Sequence, residues 1–201
     1  MSDAGAHYFA ERPDVASAPD EVELSLPDVH LRLATDRGVF SHGRVDAGTK
    51  LLLLKAPPPP PAGDLLDLGC GVGPIALTLA TRAPSATVWA VDVNERARAL
   101  CAANAVTNGI GNVRVAAPDE LPDDVRLATI WSNPPIRIGK AALHDLLLRW
   151  LGRLAPDGDA HLVVHKHLGA DSLQRWLADQ GYAATRTSSS AGYRILHVAA
   201  T

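Results

Sequence analysis

The stretch Leu65-Leu66-Asp67-Leu68-Gly69-Cys70-Gly71-Val72-Gly73-Pro74 constrains the chain more than any other. An apolar strand runs straight into three alternating glycines, and Pro74 then opens an apolar helix predicted over Ile75–Arg82. Without a Cβ, a glycine can turn with φ > 0 and lets a ligand approach main-chain atoms that a side chain would cover. Pro74 suits the first helical turn, where its missing N–H removes no hydrogen bond. The unit is a strand, a tight turn and a helix.

The rest of the chain follows from it. From Asp64 onward, strands predicted at Leu65–Leu68, Thr87–Val91, Val113–Ala116, Ala128–Ser132 and Ala160–Val164 alternate with helices at Ile75–Arg82, Glu95–Asn108, Ala141–Leu154 and Ser172–Gln180. That spacing is the pattern of βαβ units and a parallel sheet. Ala183–Ser188 and Tyr193–Ala199, separated by Ser189-Ser190-Ala191-Gly192, read as a closing hairpin. Upstream, Val22–Leu26 and Val29–Thr35 alternate apolar and polar residues around Pro27-Asp28, a second hairpin that Val39-Phe40-Ser41 could extend. Asp46-Ala47-Gly48-Thr49 leads into a short capped helix ending at Lys55, and Pro57–Pro61 favours a stiff extended connector. The expected organisation is an arm, hairpin and helix over 1–56, a connector over 57–63 and a core over 64–201. In the arm, His7-Tyr8-Phe9 is the one aromatic anchor.

With 201 residues, 47% hydrophobic and 20% charged, the chain suits one soluble α/β domain. Its 19 basic and 22 acidic residues give a net charge of -3, so no global basic field advertises nucleic acid and any such face must be local. Cys70 and Cys101 have neither the count nor the spacing of a disulfide framework or zinc site, and His165 and His167 lack a third ligand, so no metal is expected. Met1–Ala6 has no signal-peptide character and no apolar run is long enough to span a bilayer, so a cytoplasmic setting is expected.

The glycine spacing departs from the dinucleotide fingerprint G-x-G-x-x-G, because Pro74 stands where the third glycine would fall. The loop is also preceded by Asp67, whose carboxylate would repel a pyrophosphate and attract an ammonium group. The D-x-G-C-G-x-G string resembles motif I of class I methyltransferases, which bind S-adenosylmethionine. Asp92, at the end of the second core strand, could accept both hydroxyls of a ribose or could cap the helix at Glu95. Asp119, after the third core strand, could meet an adenine amino group or belong to a loop. Ser132-Asn133-Pro134-Pro135 ends the fourth core strand. Two prolines fix φ and remove two donors, so the Asn133 amide oxygen and the Pro134 carbonyl become acceptors for a planar –NH2.

The full string Asn133-Pro134-Pro135-Ile136-Arg137-Ile138-Gly139-Lys140 is similar to motif IV of the small-domain methyltransferases related to the 16S ribosomal RNA guanine-N2 enzymes. The resemblance extends to His7-Tyr8-Phe9, Thr35–Ser41, Asp46–Thr49 and His165–Ala170. It implies a Rossmann-like α/β fold: a seven-stranded, mostly parallel sheet with a C-terminal antiparallel hairpin and a small N-terminal β-hairpin extension. It also implies Asp67, Gly69, Gly71 and Gly73 around the methionine end of S-adenosylmethionine, Asp92 on the ribose, Asp119 near the adenine, and Asn133, Pro134 and Pro135 on the target amine. The implied partner is ribosomal RNA or the small subunit. Arg137, Lys140 and Lys166, with Arg44 and Lys50 upstream, are the candidate RNA contacts. Where many amino-methyltransferases stack Tyr or Phe on the base, this chain has Ile136, leaving Phe40 or Tyr8 to stack. The expected activity is methylation of an exocyclic RNA amine, guanine N2 first. Methylation of a release-factor glutamine, a non-catalytic cofactor- or RNA-binding module and a NAD-dependent dehydrogenase are the alternatives.

Overall fold

The computed structural model describes residues 15–41 and 43–200. The expected opening anchor His7-Tyr8-Phe9, and with it Tyr8 as a stacking partner, lies outside the described residues. The main sheet has seven strands: β3 (Ala62–Leu68), β4 (Ser85–Val91), β5 (Val113–Ala116), β6 (Leu127–Ser132), β7 (Leu154–His165), β8 (Tyr182–Ser190) and β9 (Tyr193–Ala200). Their order is β5-β4-β3-β6-β7-β9-β8. The first five in that order are parallel, and β9 runs antiparallel to both β7 and β8. The chain moves outward from β3 to β5 and then returns to the other side of β3 as β6. Strand order therefore reverses beside β3, and the carboxyl ends of β3, β4 and β6 open a crevice there.

Helices cover both faces. α1 (Ala47–Lys55), α2 (Pro74–Arg82) and α3 (Glu95–Thr107) lie on one, α4 (Lys140–Leu151) and α5 (Ala170–Asp179) on the other. Leu65 packs with the first group and Leu66 with the second, the alternation a strand buried on both sides must show. In α5 the buried residues are Ala170, Leu173 and Leu177, a single stripe at helical spacing.

A separate two-stranded antiparallel sheet, β1 (Asp20–Ser25) and β2 (His30–Thr35), is fixed to α3 by two asparagines. Asn104 accepts from Ala34 N and donates to Ala34 O and to Val72 O in the glycine loop, while Asn108 accepts from Arg32 N and donates to Arg32 O. Val39-Phe40-Ser41 does not extend this sheet. The Asp36 carboxylate accepts from Ser17 Oγ, Ala18 N and Arg37 N, and the carbonyls of Arg37 and Gly38 are taken by Arg96 and Asn94 at the start of α3. The segment is a turn, with Val39 buried and Phe40 47% exposed, close to where the crevice opens.

The element ends that differ most from the sequence reading are those of β3, α4 and β7. β3 begins at Ala62, within the expected connector. α4 ends at Leu151, so Leu154 already belongs to β7, whose pairing with β6 shifts register between Leu127 and Thr129. The apolar run Leu146–Leu154 continues at helical spacing past Gly152 and masks the helix end. Among the described residues no helix is long and apolar enough to cross a membrane.

Past that shift, Asp159 joins three strands. Its carboxylate accepts from Thr129 Oγ1 on β6 at 2.6 Å and lies 3.1 Å from the Nε2 atoms of His161 and His197, which face each other across β7 and β9. Burial would raise the Asp159 carboxyl, but the hydrogen bonds from His161 and Thr129 and the two imidazoles outweigh it and hold the group below its ordinary value. A carboxyl lowered on folding contributes stability that is complete above its unfolded value, about pH 4, and is lost as pH falls through its folded value. Urea titrations should therefore show Asp159→Asn starting less stable than wild type and losing stability less steeply from pH 5 to pH 3; equal slopes would contradict this.

Candidate active site

A cavity of about 890 Å3 opens at the carboxyl edge of the sheet, where strand order reverses. Its floor is the glycine loop. Gly69 N and Cys70 N donate to Val91 O, and Gly71 N donates to Asp92 Oδ2 at 2.9 Å, so the ends of β3 and β4 are joined through the loop. Gly69 and Gly71 have φ of 78° and 53°, and a Cβ on either would meet nothing within 4 Å. Their backbone is bare toward open space, as a loop that admits a ligand requires. Gly73 differs: a Cβ there would sit 2.7 Å from Cys101 Sγ and from Leu77 Cδ1, so it serves close packing of the loop on α3 and α2 and does not line the cavity.

Of the three acids expected at the cofactor, Asp67, Asp92 and Asp119, one lines the cavity. Asp92 does so; its Oδ1 accepts from Asn94 N and its Oδ2 from Gly71 N, and burial raises its carboxyl against those bonds and the Arg98 charge. The helix cap considered for Asp92 is supplied by Asn94, whose side chain accepts from Ala97 N. Asp67 does not reach the cavity. It is fully buried beneath the loop, with Oδ2 accepting from Ala76 N in the first turn of α2 and Oδ1 without a partner. Burial pushes its carboxyl up to about 8, with the nearby Asp92 adding to it and the Ala76 bond opposing.

Asp119 also stays outside: its side chain is 90% exposed and pairs with Arg149 at 2.8 Å, while Pro118 lines the cavity instead. The helical register of α4 brings Arg149 over that loop and draws the carboxylate outward.

The opposite wall is Asn133, Pro134 and Pro135, with Ile136 and Arg137. Ser132 Oγ donates to Leu68 O at 2.6 Å and clamps the end of β6 to the end of β3. Pro135 has φ -74° and ψ 71°, an inverse γ-turn in which Ile136 N donates to Pro134 O at 2.8 Å. The Pro134 carbonyl thus has one lone pair occupied and one left. The Asn133 amide is oriented from α1: its Nδ2 donates to Asp46 Oδ1 at 2.8 Å and to Thr49 Oγ1 at 3.1 Å.

Phe40, Arg44, Asp46, His165, His167, Leu168 and Tyr193 are also among the lining residues. Lys140 and Lys166 do not line the cavity; both are exposed at its margin, next in sequence to Gly139 and to the lining residues His165 and His167. Sequence reasoning missed Tyr193 as a site residue. It pairs with His165 across β9 and β7, edge-on at 4.9 Å between ring centroids, and Gly48 abuts its ring so closely that a Cβ would come within 2.6 Å. Burial, and then the charge of Asp46, raise its hydroxyl. Its antiparallel register with the end of β7 was the available signal. Asp46 was legible as a helix cap, not as a partner of Asn133.

The residues fit the cofactor that the sequence implies: a bare glycine backbone, a carboxylate at the end of β4 and room for an adenosine and a second planar group. Fold and site together define an S-adenosylmethionine-dependent methyltransferase of the Rossmann-like class. The family model described as methyltransferase small domain matches residues 30–197, and the chain belongs to that family. It is 35% identical over 193 residues to uncharacterized protein YbxB of Bacillus subtilis, covering 94% of this chain and 96% of that protein. It is 35% identical over 156 residues to ribosomal RNA small subunit methyltransferase C of Pseudomonas putida, covering 76% of this chain and 47% of that protein. The T. thermophilus 16S rRNA N2 methyltransferase solved with AdoMet and guanosine superposes with a TM-score of 0.77 at 21% identity, covering 94% of this chain and 52% of that one. The chain thus spans about half the length of these ribosomal RNA methyltransferases.

A carboxyl raised on folding contributes stability that is complete below its unfolded value and is lost as pH rises through its folded value. For Asp67 that window runs from its ordinary 3.8 to about 8. Asp67→Asn keeps the acceptor for Ala76 N and should flatten the stability loss between pH 5 and pH 8 while changing cofactor affinity by no more than about threefold, since loss of a direct charged contact would cost more than that. A tenfold weaker cofactor with unchanged pH slope would return Asp67 to the binding site.

Proposed function

We propose that this chain transfers a methyl group from S-adenosylmethionine to an exocyclic amine of RNA, guanine N2 in 16S ribosomal RNA. The observation that carries the reading is the Asn133 amide, fixed through its nitrogen so that its oxygen is left to accept, on the wall of the same cavity as Gly69, Gly71 and Asp92. The names of the longer relatives support the substrate class.

When bound, the cofactor supplies a methyl group activated by its sulfonium. The chain's task is then alignment and exclusion of water. Gly69 and Gly71 leave their backbone open to the cofactor, and Asp92 faces its ribose. Asn133 Oδ1 and the second lone pair of the Pro134 carbonyl each accept one N–H of the target amine, which turns the nitrogen lone pair toward the methyl group. Phe40, Ile136 and Tyr193 give the base apolar and aromatic surface, and Arg44 and Arg137 at the rim meet its phosphates. Proton loss follows methyl transfer, to water or a site acceptor, with no covalent intermediate.

Incubation with methyl-labelled cofactor and 30S subunits, naked 16S RNA or release factor, followed by digestion, tests the reading. N2-methylguanosine is expected, lost by roughly 100-fold or more in Asn133→Ala, as misplacing a reacting group can cost. Label in glutamine would overturn it. Arg137→Glu should weaken RNA binding and flatten its salt dependence while leaving cofactor affinity unchanged. Unchanged RNA affinity would remove Arg137 from the interface.

A further inference from the structure

We propose that Asp46 is a positioning residue of the amine site, selecting which end of the Asn133 amide faces the substrate. The inference rests on the amine-methylation reading above and adds a residue to it.

An asparagine amide is nearly symmetric in shape, with two donors at one end and an acceptor at the other. Turned over, it would present –NH2 to the –NH2 of the substrate and repel it. Pro134 and Pro135 stiffen the backbone after Asn133 but do nothing to choose between the two orientations. The choice is made from α1, 84 and 87 residues away in sequence. Asp46 Oδ1 and Thr49 Oγ1 lie 2.8 and 3.1 Å from Asn133 Nδ2, so both amide hydrogens have acceptors. Asn133 Oδ1 has no hydrogen-bond donor among the described residues, and the residue lines the cavity.

A carboxylate at 46 can only accept, so the flipped amide would set its oxygen against a negative charge. The same Oδ1 is itself fixed, because as N-cap of α1 it accepts from Gly48 N at 2.8 Å and Thr49 N at 3.1 Å. Thr49 is 4% exposed and Gly48 packs against the Tyr193 ring, and α1 as a whole packs against β7 and β9. The helix cap and the orientation of the catalytic amide are one hydrogen-bonded unit.

Two substitutions separate positioning from capping. Asp46→Ser keeps a strong N-cap but is too short to reach Asn133; Asp46→Asn can still offer an oxygen to all three N–H donors. In the full chain, Asp46→Ser should melt close to wild type and bind S-adenosylmethionine unchanged, yet lower kcat roughly 10- to 100-fold. Asp46→Asn should recover part of that loss. Asp46→Ser with Asn133→Ala should be no slower than Asn133→Ala alone, since the first residue acts through the second. Additive losses, or full activity in Asp46→Ser, would overturn the proposal.

A readout without substrate keeps the two readings apart. The side-chain amide resonances of Asn133 should be dispersed and slow to exchange in wild type and should move toward the values of a free asparagine in Asp46→Ser. Unmoved resonances defeat the positioning role whatever the substrate is. Shifted resonances in a protein that methylates no RNA amine would sustain the Asp46–Asn133 link and defeat the substrate reading.

Discussion

The rest of the site depends on how the glycine loop is held from beneath. Three glycines, two of them bare toward the cavity, would otherwise carry the largest backbone entropy in the chain. Two carboxyls fix them: Asp67 takes Ala76 N at the head of α2, and Asp92 takes Gly71 N. Asn104 adds a third anchor at Val72 O and ties the loop to the N-terminal sheet through Ala34. With the loop set, the ends of β3, β4 and β6 are tied together, and the cavity lies where strand order reverses.

This division of labour accounts for the two acids. A loop that must leave its amides open to a ligand cannot also cover them with side chains, so its support comes from below. Asp67 is the support, at the cost of a buried, partly unsatisfied carboxyl. Asp92, at the end of the next strand, both supports and faces the cavity. The N-terminal segment is equally a part of the site. The turn Asp36–Ser41 brings Phe40 to the rim, and Asp46 reaches across to Asn133.

The fold was largely legible, because its signals are local. The alternation of apolar strands with helices, the glycine turn and the closing hairpin each declare themselves within about ten residues. Where local signals ran together, the reading slipped: apolar spacing carried α4 past Gly152, and a short apolar run at Val39 suggested a strand although the carbonyls just before it, of Arg37 and Gly38, go to side chains at the head of α3. The site was legible in its motifs and opaque in its contacts. Nothing near Asp67 in sequence says that the carboxyl points under the loop, and nothing near Asp119 says that Arg149 will draw it outward. Tyr193 meets His165, and Asp46 meets Asn133, only through sheet register and helix packing, over separations that no spacing encodes.

In the proposed function one cavity takes S-adenosylmethionine on Gly69, Gly71 and Asp92 and a guanine amine on Asn133. The most direct measurement is an amide-resolved NMR titration, first with S-adenosylhomocysteine and then with guanosine. The backbone amides of Gly69, Gly71 and Asp92 should shift with the first ligand, and the Asn133 side-chain amide with the second. Shifts at the glycine loop with NAD but not with S-adenosylhomocysteine, or guanosine shifts that bypass Asn133, would contradict it.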